Sequence, residues 1–155
     1  MKRSSNLLFM SSWVILLVVS GAIILFSAQS LWIAYSGAPD TLSGEYTLTQ
    51  IREHGGEQAV KAFRGRRATA ATWALGYGIL AITVIWKPYR RTEKWAWWAI
   101  FLSLGLSQFL SLSRAITLQT SVGTATPAIL LAFVLLGLLA GAPRIFRSGI
   151  DTPEI

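Results

Sequence analysis

The sequence predicts an all-α integral membrane protein, a four-transmembrane-helix bundle in up-down-up-down order that forms a single domain over residues 1–155. Composition supports this class, because 53% of the residues are hydrophobic and 14% are charged, whereas soluble domains carry roughly 25% charged residues. Four apolar segments are long enough to cross about 30 Å of hydrocarbon. In three of them small residues recur at every fourth position, which is typical of closely packed membrane helices.

The first span is predicted over residues 7–27, after the basic start Met1-Lys2-Arg3. A secretory signal peptide is the alternative, since residues 27–30 look like a small-residue cleavage site. The apolar stretch exceeds the roughly 7–15 residues of such signals, which favours a span. A continuation to Tyr35 stays open, and it would place three small residues on one side at heptad spacing, namely Ser20, Ser27 and Ala34.

An outer loop is predicted over residues 36–67, because Pro39 interrupts the first helix. Residues 45–49 alternate as a short strand would, whereas Thr47 and Gln50 fit a capping box that opens a helical turn ending at Gly55-Gly56. Both alternatives stay open. From Glu57 onward the pattern is helical and leads into the second span.

The second and third spans are predicted over residues 68–86 and 95–114, and the short cytoplasmic loop 87–94 makes them antiparallel neighbours. Thr92 is expected to cap the third helix. Close packing is predicted along two faces, which consist of Ala70, Ala74 and Gly78 in the second span and of Ala99, Ser103, Ser107 and Ser111 in the third. An interfacial aromatic belt is predicted from Trp86, Tyr89, Trp95, Trp97 and Trp98.

The fourth span is predicted over residues 126–142. Thr126 and Pro127 form a helix start with a hydroxyl cap and a proline in the first turn. Gly137 and Gly141 form a GxxxG packing motif, and Pro143 is expected to end the helix.

Orientation follows from the positions of the basic residues. With the N-terminus in the cytoplasm, the cytoplasmic side would hold eight Lys and Arg residues and the outer side six. This split favours both termini inside. The excess of 14 basic over 7 acidic residues is typical of loops that face anionic lipid, so membrane lipids are expected partners and nucleic acid is not.

Reactive chemistry is sparse in this sequence. There are no cysteines, which excludes thiolate nucleophiles, disulfide exchange and iron–sulfur clusters. The predicted spans contain no Asp or Glu, although proton- or cation-coupled carriers generally need a buried carboxylate. His54 is the only histidine and lies in the predicted loop, so a haem or metal site from this chain would lack ligands. We therefore predict no metal and no catalytic residues.

A cationic cluster is the candidate binding site. Arg64, Arg66, Arg67 and Arg114 are expected near one another at two helix ends on the outer face, with Glu57 as an acid from the loop. Guanidinium groups bind phosphate and other anionic head groups. The alternative is that these arginines only extend to the interface from the ends of their helices.

Four short motifs occur in an order found in a known family: Phe63-Arg64, Pro88-Tyr89-Arg90-Arg91, Ser113-Arg114, and Gly123 before Pro127. Over about residues 60–140 the chain thus resembles the DoxX-like small bacterial four-helix membrane proteins. The resemblance implies a bacterial inner-membrane bundle with both ends in the cytoplasm. For DoxX itself it implies a membrane subunit of a quinone-linked oxidoreductase, but this chain has no cofactor signature of such a role.

Three classes of function follow. The first is a non-catalytic accessory or partner-binding subunit of a membrane complex, or a homo-oligomer, because small-residue faces suit helix docking. The second is a protein that binds lipid, quinone or another hydrophobic small molecule in the bundle. The third is a channel or carrier, which would need an oligomer because four packed helices leave little room for a pore.

Overall fold

In a computed structural model of the protein, residues 2–37, 47–117 and 124–147 are described, and the regular structure within them is helical throughout. The helices are α1 (Lys2–Ser36), α2 (Leu48–Val84), α3 (Lys94–Ile100), α4 (Leu106–Thr117) and α5 (Ala125–Arg147). A π-helical turn extends α2 over Ile85–Tyr89, and a second one joins α3 to α4 over Phe101–Gly105.

Within these residues four helical segments are long and apolar enough to cross a membrane. Their bounds are Asn6–Ser36, Leu48–Tyr89, Lys94–Arg114 and Ala125–Phe146. The all-helical class and the four candidate spans are therefore confirmed. We refer to Lys94–Arg114, which combines α3, the second π-helical turn and α4, as the third span.

Helix α2 begins far earlier than predicted, at Leu48. The Thr47 hydroxyl accepts a hydrogen bond from the Gln50 backbone N–H at 3.3 Å, while the Thr47 N–H donates to Gln50 Oε1 at 2.9 Å. This capping box satisfies donors that a helix start leaves unpaired, so the helical alternative is correct. The helical pattern predicted from Glu57 onward is part of α2, and the helix extends further back through residues 48–56 of the segment predicted as outer loop, apart from non-helical backbone angles at Gly56, where φ is 70°. The predicted break at Pro39 lies outside the described residues.

The helix boundaries around residues 87–94 and at the C-terminal end also differ from the prediction. Thr92 does not cap α3, because its hydroxyl donates to its neighbour's carbonyl, Arg91 O, at 2.6 Å and Glu93 occupies the cap position. Helix α5 does not end at Pro143 but continues to Arg147. Proline is tolerated inside membrane helices where neighbouring groups bond the freed backbone. Pro143 removes the donor of the Leu139 carbonyl, four residues earlier, and Trp97 Nε1 donates to the adjacent Leu138 carbonyl at 3.0 Å.

The core is built around α1, which packs against α2 and α5, while the third span packs against α5. The predicted heptad face of α1 is confirmed, since Ser20, Ser27 and Ala34 are all buried. The main buried cluster joins all four spans and contains Phe9, Leu16, Val19, Ala81, Ile85, Tyr89, Ala96, Ile100, Leu104, Val134, Leu138 and Ile145.

Tyr89 was predicted in the interfacial belt but is completely buried at the centre of this cluster. A buried phenol hydroxyl needs a hydrogen-bond partner. Ser12 of α1 provides one, at 2.7 Å between the two oxygens, and the Ser12 hydroxyl also lies 2.6 Å from the Gly137 carbonyl of α5, to which it donates. Phe9 stacks on the Tyr89 ring at 6.0 Å. Three spans therefore meet at one polar contact in an apolar core.

Candidate functional site

Arg64 and Arg67 of α2 contact the C-terminal part of α1. Arg64 donates from Nε to the Ala34 carbonyl at 2.7 Å and from Nη2 to the Tyr35 carbonyl at 2.8 Å, while Arg67 Nε donates to Ser30 Oγ at 3.0 Å. The last carbonyls of a helix have no partner within it and carry partial negative charge. Arg64 therefore closes the end of α1, and Arg67 joins α2 to a side chain further back along α1. Neither structural role was predicted from the sequence.

Arg114 lies elsewhere, in a surface depression between α4 and α5. The depression has a volume of about 480 Å³ and is lined by Gln108, Leu110, Ser111, Arg114, Thr126 and Pro127. We call it the α4/α5 depression. Its lining combines one cation with amide and hydroxyl groups, and Leu110 and Pro127 supply apolar walls. Such a site can hold a ligand that is polar or anionic at one end and apolar at the other.

The predicted single cationic cluster is not formed. Arg64 lines a different, smaller depression next to Ala34, Tyr35 and Lys61, and α2 makes no contact with α4 in the described part of the chain. Arg66 is exposed on α2. Glu57 was predicted beside the arginines, but it forms an exposed ion pair with Arg52 at 2.6 Å.

The predicted packing face of the third span is not its most buried face within the chain. The buried positions of this span are Ala96, Ile100 and Leu104, whereas Ser107 and Ser111 are exposed and Ala99 and Ser103 are half-buried. The π-helical turn Phe101–Gly105 explains part of this difference. A π-helical turn takes in one extra residue and rotates everything beyond it by about 100° relative to a continuous α-helix.

Among the other predicted packing positions, the three glycines are buried and the two alanines are not. Gly137 and Gly141 are buried, and a Cβ on Gly137 would lie 3.0 Å from two atoms of Leu16. Gly78 is buried against α1, where a Cβ would lie 3.3 Å from the Ser20 carbonyl. Ala74 is half-buried and Ala70 is exposed. The α1–α2 and α1–α5 contacts thus use close approach at glycine, as the sequence predicted.

A second, wholly apolar groove lies between α1 and α5. It has a volume of about 340 Å³ and no polar lining. Its walls are aliphatic and aromatic side chains: Val14, Ile15, Val18, Val19, Ala22, Phe26, Ile129, Leu130 and Phe133. A groove with such walls is chemically compatible with hydrocarbon chains.

His54 lies in the first part of α2, where its Nδ1 is 2.8 Å from the Gln50 carbonyl of its own helix. No group of three or more His, Cys, Asp or Glu side chains that could hold a metal ion occurs in residues 2–37, 47–117 and 124–147.

Arg90 forms an arrangement that the sequence analysis missed. Its guanidinium group lies 4.8 Å from the Trp13 ring centroid and 4.9 Å from the Trp86 ring centroid. Trp86 and Arg90 are four residues apart, a spacing that brings helical side chains together and could have indicated this contact. Trp13 comes from another helix, and nothing in the local sequence predicts its position.

Comparisons of this chain with protein-family models, with curated proteins and with solved structures find no match.

Proposed function

We propose that this protein is a non-catalytic membrane protein that binds another membrane helix, either from a partner protein or from a second copy of the chain. The observation that carries the proposal is the position of the small-residue face of the third span, which consists of Ala99, Ser103, Ser107 and Ser111. This face is only partly covered within the chain, since Ala99 and Ser103 are half-buried and Ser107 and Ser111 are exposed.

The chemistry of the small-residue face favours helix docking. Small side chains allow two membrane helices to approach closely, and van der Waals contact then drives their association. The serine hydroxyls already donate to carbonyls of their own helix, from Ser103 to Ala99 at 2.6 Å, from Ser107 to Leu104 at 3.0 Å and from Ser111 to Ser107 at 2.9 Å. A docking helix therefore leaves no unpaired hydroxyl donor on this face, so the desolvation cost is low.

Photocrosslinking tests this proposal directly. A photoreactive amino acid at residue 107 should give a defined crosslinked band in native membranes. The same group at Leu139 of α5, which is 66% exposed, serves as the matched control for a lipid-facing position. Ser107→Leu should abolish a crosslink formed from residue 103, whereas Ser107→Ala should preserve it. Equal labelling from residues 107 and 139 would refute the proposal.

We also propose the up-down-up-down order with both termini in the cytoplasm of a bacterial inner membrane. Three contacts support the antiparallel order: Ser12 with Tyr89, Ser30 with Arg67, and Asn6 with Arg144. Reporter fusions at Gly55 and after Ile155 test the orientation, and they should report opposite compartments. The same compartment at both positions would contradict it.

The second candidate function is binding of a lipid- or quinone-type molecule in the α4/α5 depression. It is favoured by the convergence of Gln108, Ser111, Arg114 and Thr126 there, and it agrees with what the DoxX-like resemblance implies. If Arg114 binds an anionic or carbonyl group through its planar fork, Arg114→Lys and Arg114→Gln should both lose the molecule that co-purifies with the parent protein. Full retention by Arg114→Gln would exclude this role.

A further inference from the structure

The guanidinium group of Arg90 contacts two tryptophan rings. The Trp13 and Trp86 rings lie 4.8 Å and 4.9 Å from its guanidinium carbon, within the range of a cation–π interaction. Contact with two rings restricts the rotamers of a side chain that is otherwise flexible. Part of the conformational entropy of the Arg90 side chain is therefore already lost before a ligand binds, which lowers the entropic cost of binding.

The N–H groups of Arg90 are its hydrogen-bond donors, and they are distinct from its contacts with the two rings. A guanidinium group carries five donors in its plane, and in the described part of the chain the Arg90 side chain forms two cation–π contacts and no hydrogen bond or ion pair. Arg144 is a useful comparison at the same end of the bundle. It also lies over an aromatic ring, Phe9, at 4.8 Å, but it donates to Asn6 Oδ1 at 2.6 Å. Among residues 2–37, 47–117 and 124–147, no side-chain acceptor is bonded to the N–H groups of Arg90, so its fork of donors can bind a ligand.

The surrounding charge indicates an anion. Lys87, Arg91 and Lys94 are exposed within four residues of Arg90. Glu93 is the one acidic residue in this stretch, and its carboxylate accepts a hydrogen bond from Trp95 Nε1 at 2.6 Å. A planar fork with additional cations beside it matches a phosphate group, which accepts two parallel N–H bonds.

The position of the two indoles indicates a lipid as the source of that phosphate. Trp13 belongs to the candidate span Asn6–Ser36, and Trp86 lies near the end of the span Leu48–Tyr89. Tryptophan prefers the level of the head groups, where its ring is in hydrocarbon and its N–H in water. We propose that Arg90, in contact with the Trp13 and Trp86 rings, binds the phosphodiester of an anionic phospholipid, and that Lys87 and Arg91 contribute to its selectivity for negative charge. This site is independent of the small-residue face and of the function proposed for it.

Native mass spectrometry of the full chain tests this site. The protein is reconstituted with equal amounts of phosphatidylglycerol and phosphatidylcholine, released in mild detergent, and the lipids retained per chain are counted. Arg90→Gln should reduce phosphatidylglycerol retention by about tenfold, the effect expected for losing a charge-assisted bond. Arg66→Gln is the matched control, because it removes the same charge from an exposed arginine on the other side of the span in α2.

Arg90→Lys separates geometry from charge. It keeps the charge but lacks the planar fork, so it should also retain less phosphatidylglycerol than the parent protein. Because it is the milder change, it keeps the test valid if Arg90→Gln does not fold. Equal losses in Arg90→Gln and Arg66→Gln would overturn the proposal in favour of unspecific surface charge. Displacement of the lipid by an equimolar amount of inorganic phosphate would overturn the assignment to a phospholipid.

Discussion

Gly141 of α5 lies against the Ser12–Tyr89 contact, so one added methyl group there tests how closely the spans are packed. A Cβ at residue 141 would overlap the Tyr89 hydroxyl and would lie 2.6 Å from Ser12 Oγ and 3.1 Å from Tyr89 Cζ. Tyr89 and Ser12 are both fully buried, so neither can swing into solvent. In Gly141→Ala either α5 moves away from α1 or the two hydroxyls separate.

The expected loss of stability follows from three contributions. Overpacking a well-filled core costs about 1–3 kcal/mol, and breaking one buried hydrogen bond adds about 0.5–1.5 kcal/mol. Replacing glycine by alanine in a helix returns about 0.5–1 kcal/mol. The free energy of unfolding of Gly141→Ala should therefore fall by about 0.5–4 kcal/mol in total, with a central value of about 2 kcal/mol.

Tyr89→Phe identifies the cause of this loss. Alone it should cost about 1 kcal/mol, because one hydrogen bond is lost while Ser12 keeps its bond to the Gly137 carbonyl. The phenylalanine variant also lacks the oxygen that a Cβ on residue 141 would overlap. In that background Gly141→Ala should cost at least about 1 kcal/mol less than in the parent protein, so the two substitutions are not additive.

Unfolding by sodium dodecyl sulfate in mixed micelles, followed by tryptophan fluorescence, measures these free energies. Gly21→Ala in α1 is the control, because a Cβ at residue 21 would meet no atom within 4 Å. Strict additivity of Gly141→Ala and Tyr89→Phe would refute the reasoning. So would a Gly141→Ala variant that is as stable as Gly21→Ala.

Three further predictions concern the helix contacts. Gly78→Ala should lower the melting temperature in detergent, because the added Cβ would lie 2.6 Å from Ile24 Cγ1. Gly76→Ala in the same helix is the control, because its Cβ would meet open space and should leave the melting temperature unchanged. Equal melting temperatures of the two variants would contradict the close approach of α1 and α2. Arg64→Met should destabilise the protein by about 1–3 kcal/mol, because the Ala34 and Tyr35 carbonyls lose their donor. Amide hydrogen exchange should accelerate near the end of α1. Arg66→Met is the control and should leave this exchange unchanged. Trp97→Phe should lower the free energy of unfolding by about 1 kcal/mol, because the bond from Trp97 Nε1 to the Leu138 carbonyl is lost. Amide hydrogen exchange near Leu138 should increase. Unchanged exchange there would show that this bond does not stabilise α5.

Several features of the fold were predictable from local sequence alone. The four apolar segments indicate spans because length and composition decide whether a helix is compatible with hydrocarbon. Gly137, Gly141 and the heptad Ser20, Ser27 and Ala34 indicate close packing because a continuous α-helix keeps such residues on one side. The capping box at Thr47 was also visible, since its two partners are only three residues apart.

Other features were decided by tertiary structure. Tyr89 has the sequence context of an interfacial aromatic residue, and only the approach of Ser12 from α1 makes its burial favourable by pairing its hydroxyl. The π-helical turn Phe101–Gly105 rotates the serines of α4 away from the position that regular periodicity predicts. Arg64 bonds carbonyls about 30 residues away along the chain. Sequence alone determined which segments are helical and apolar, because those properties depend on neighbouring residues. The tertiary structure decided which face of each helix is buried and which arginine has a hydrogen-bond partner, because both depend on groups from distant parts of the chain.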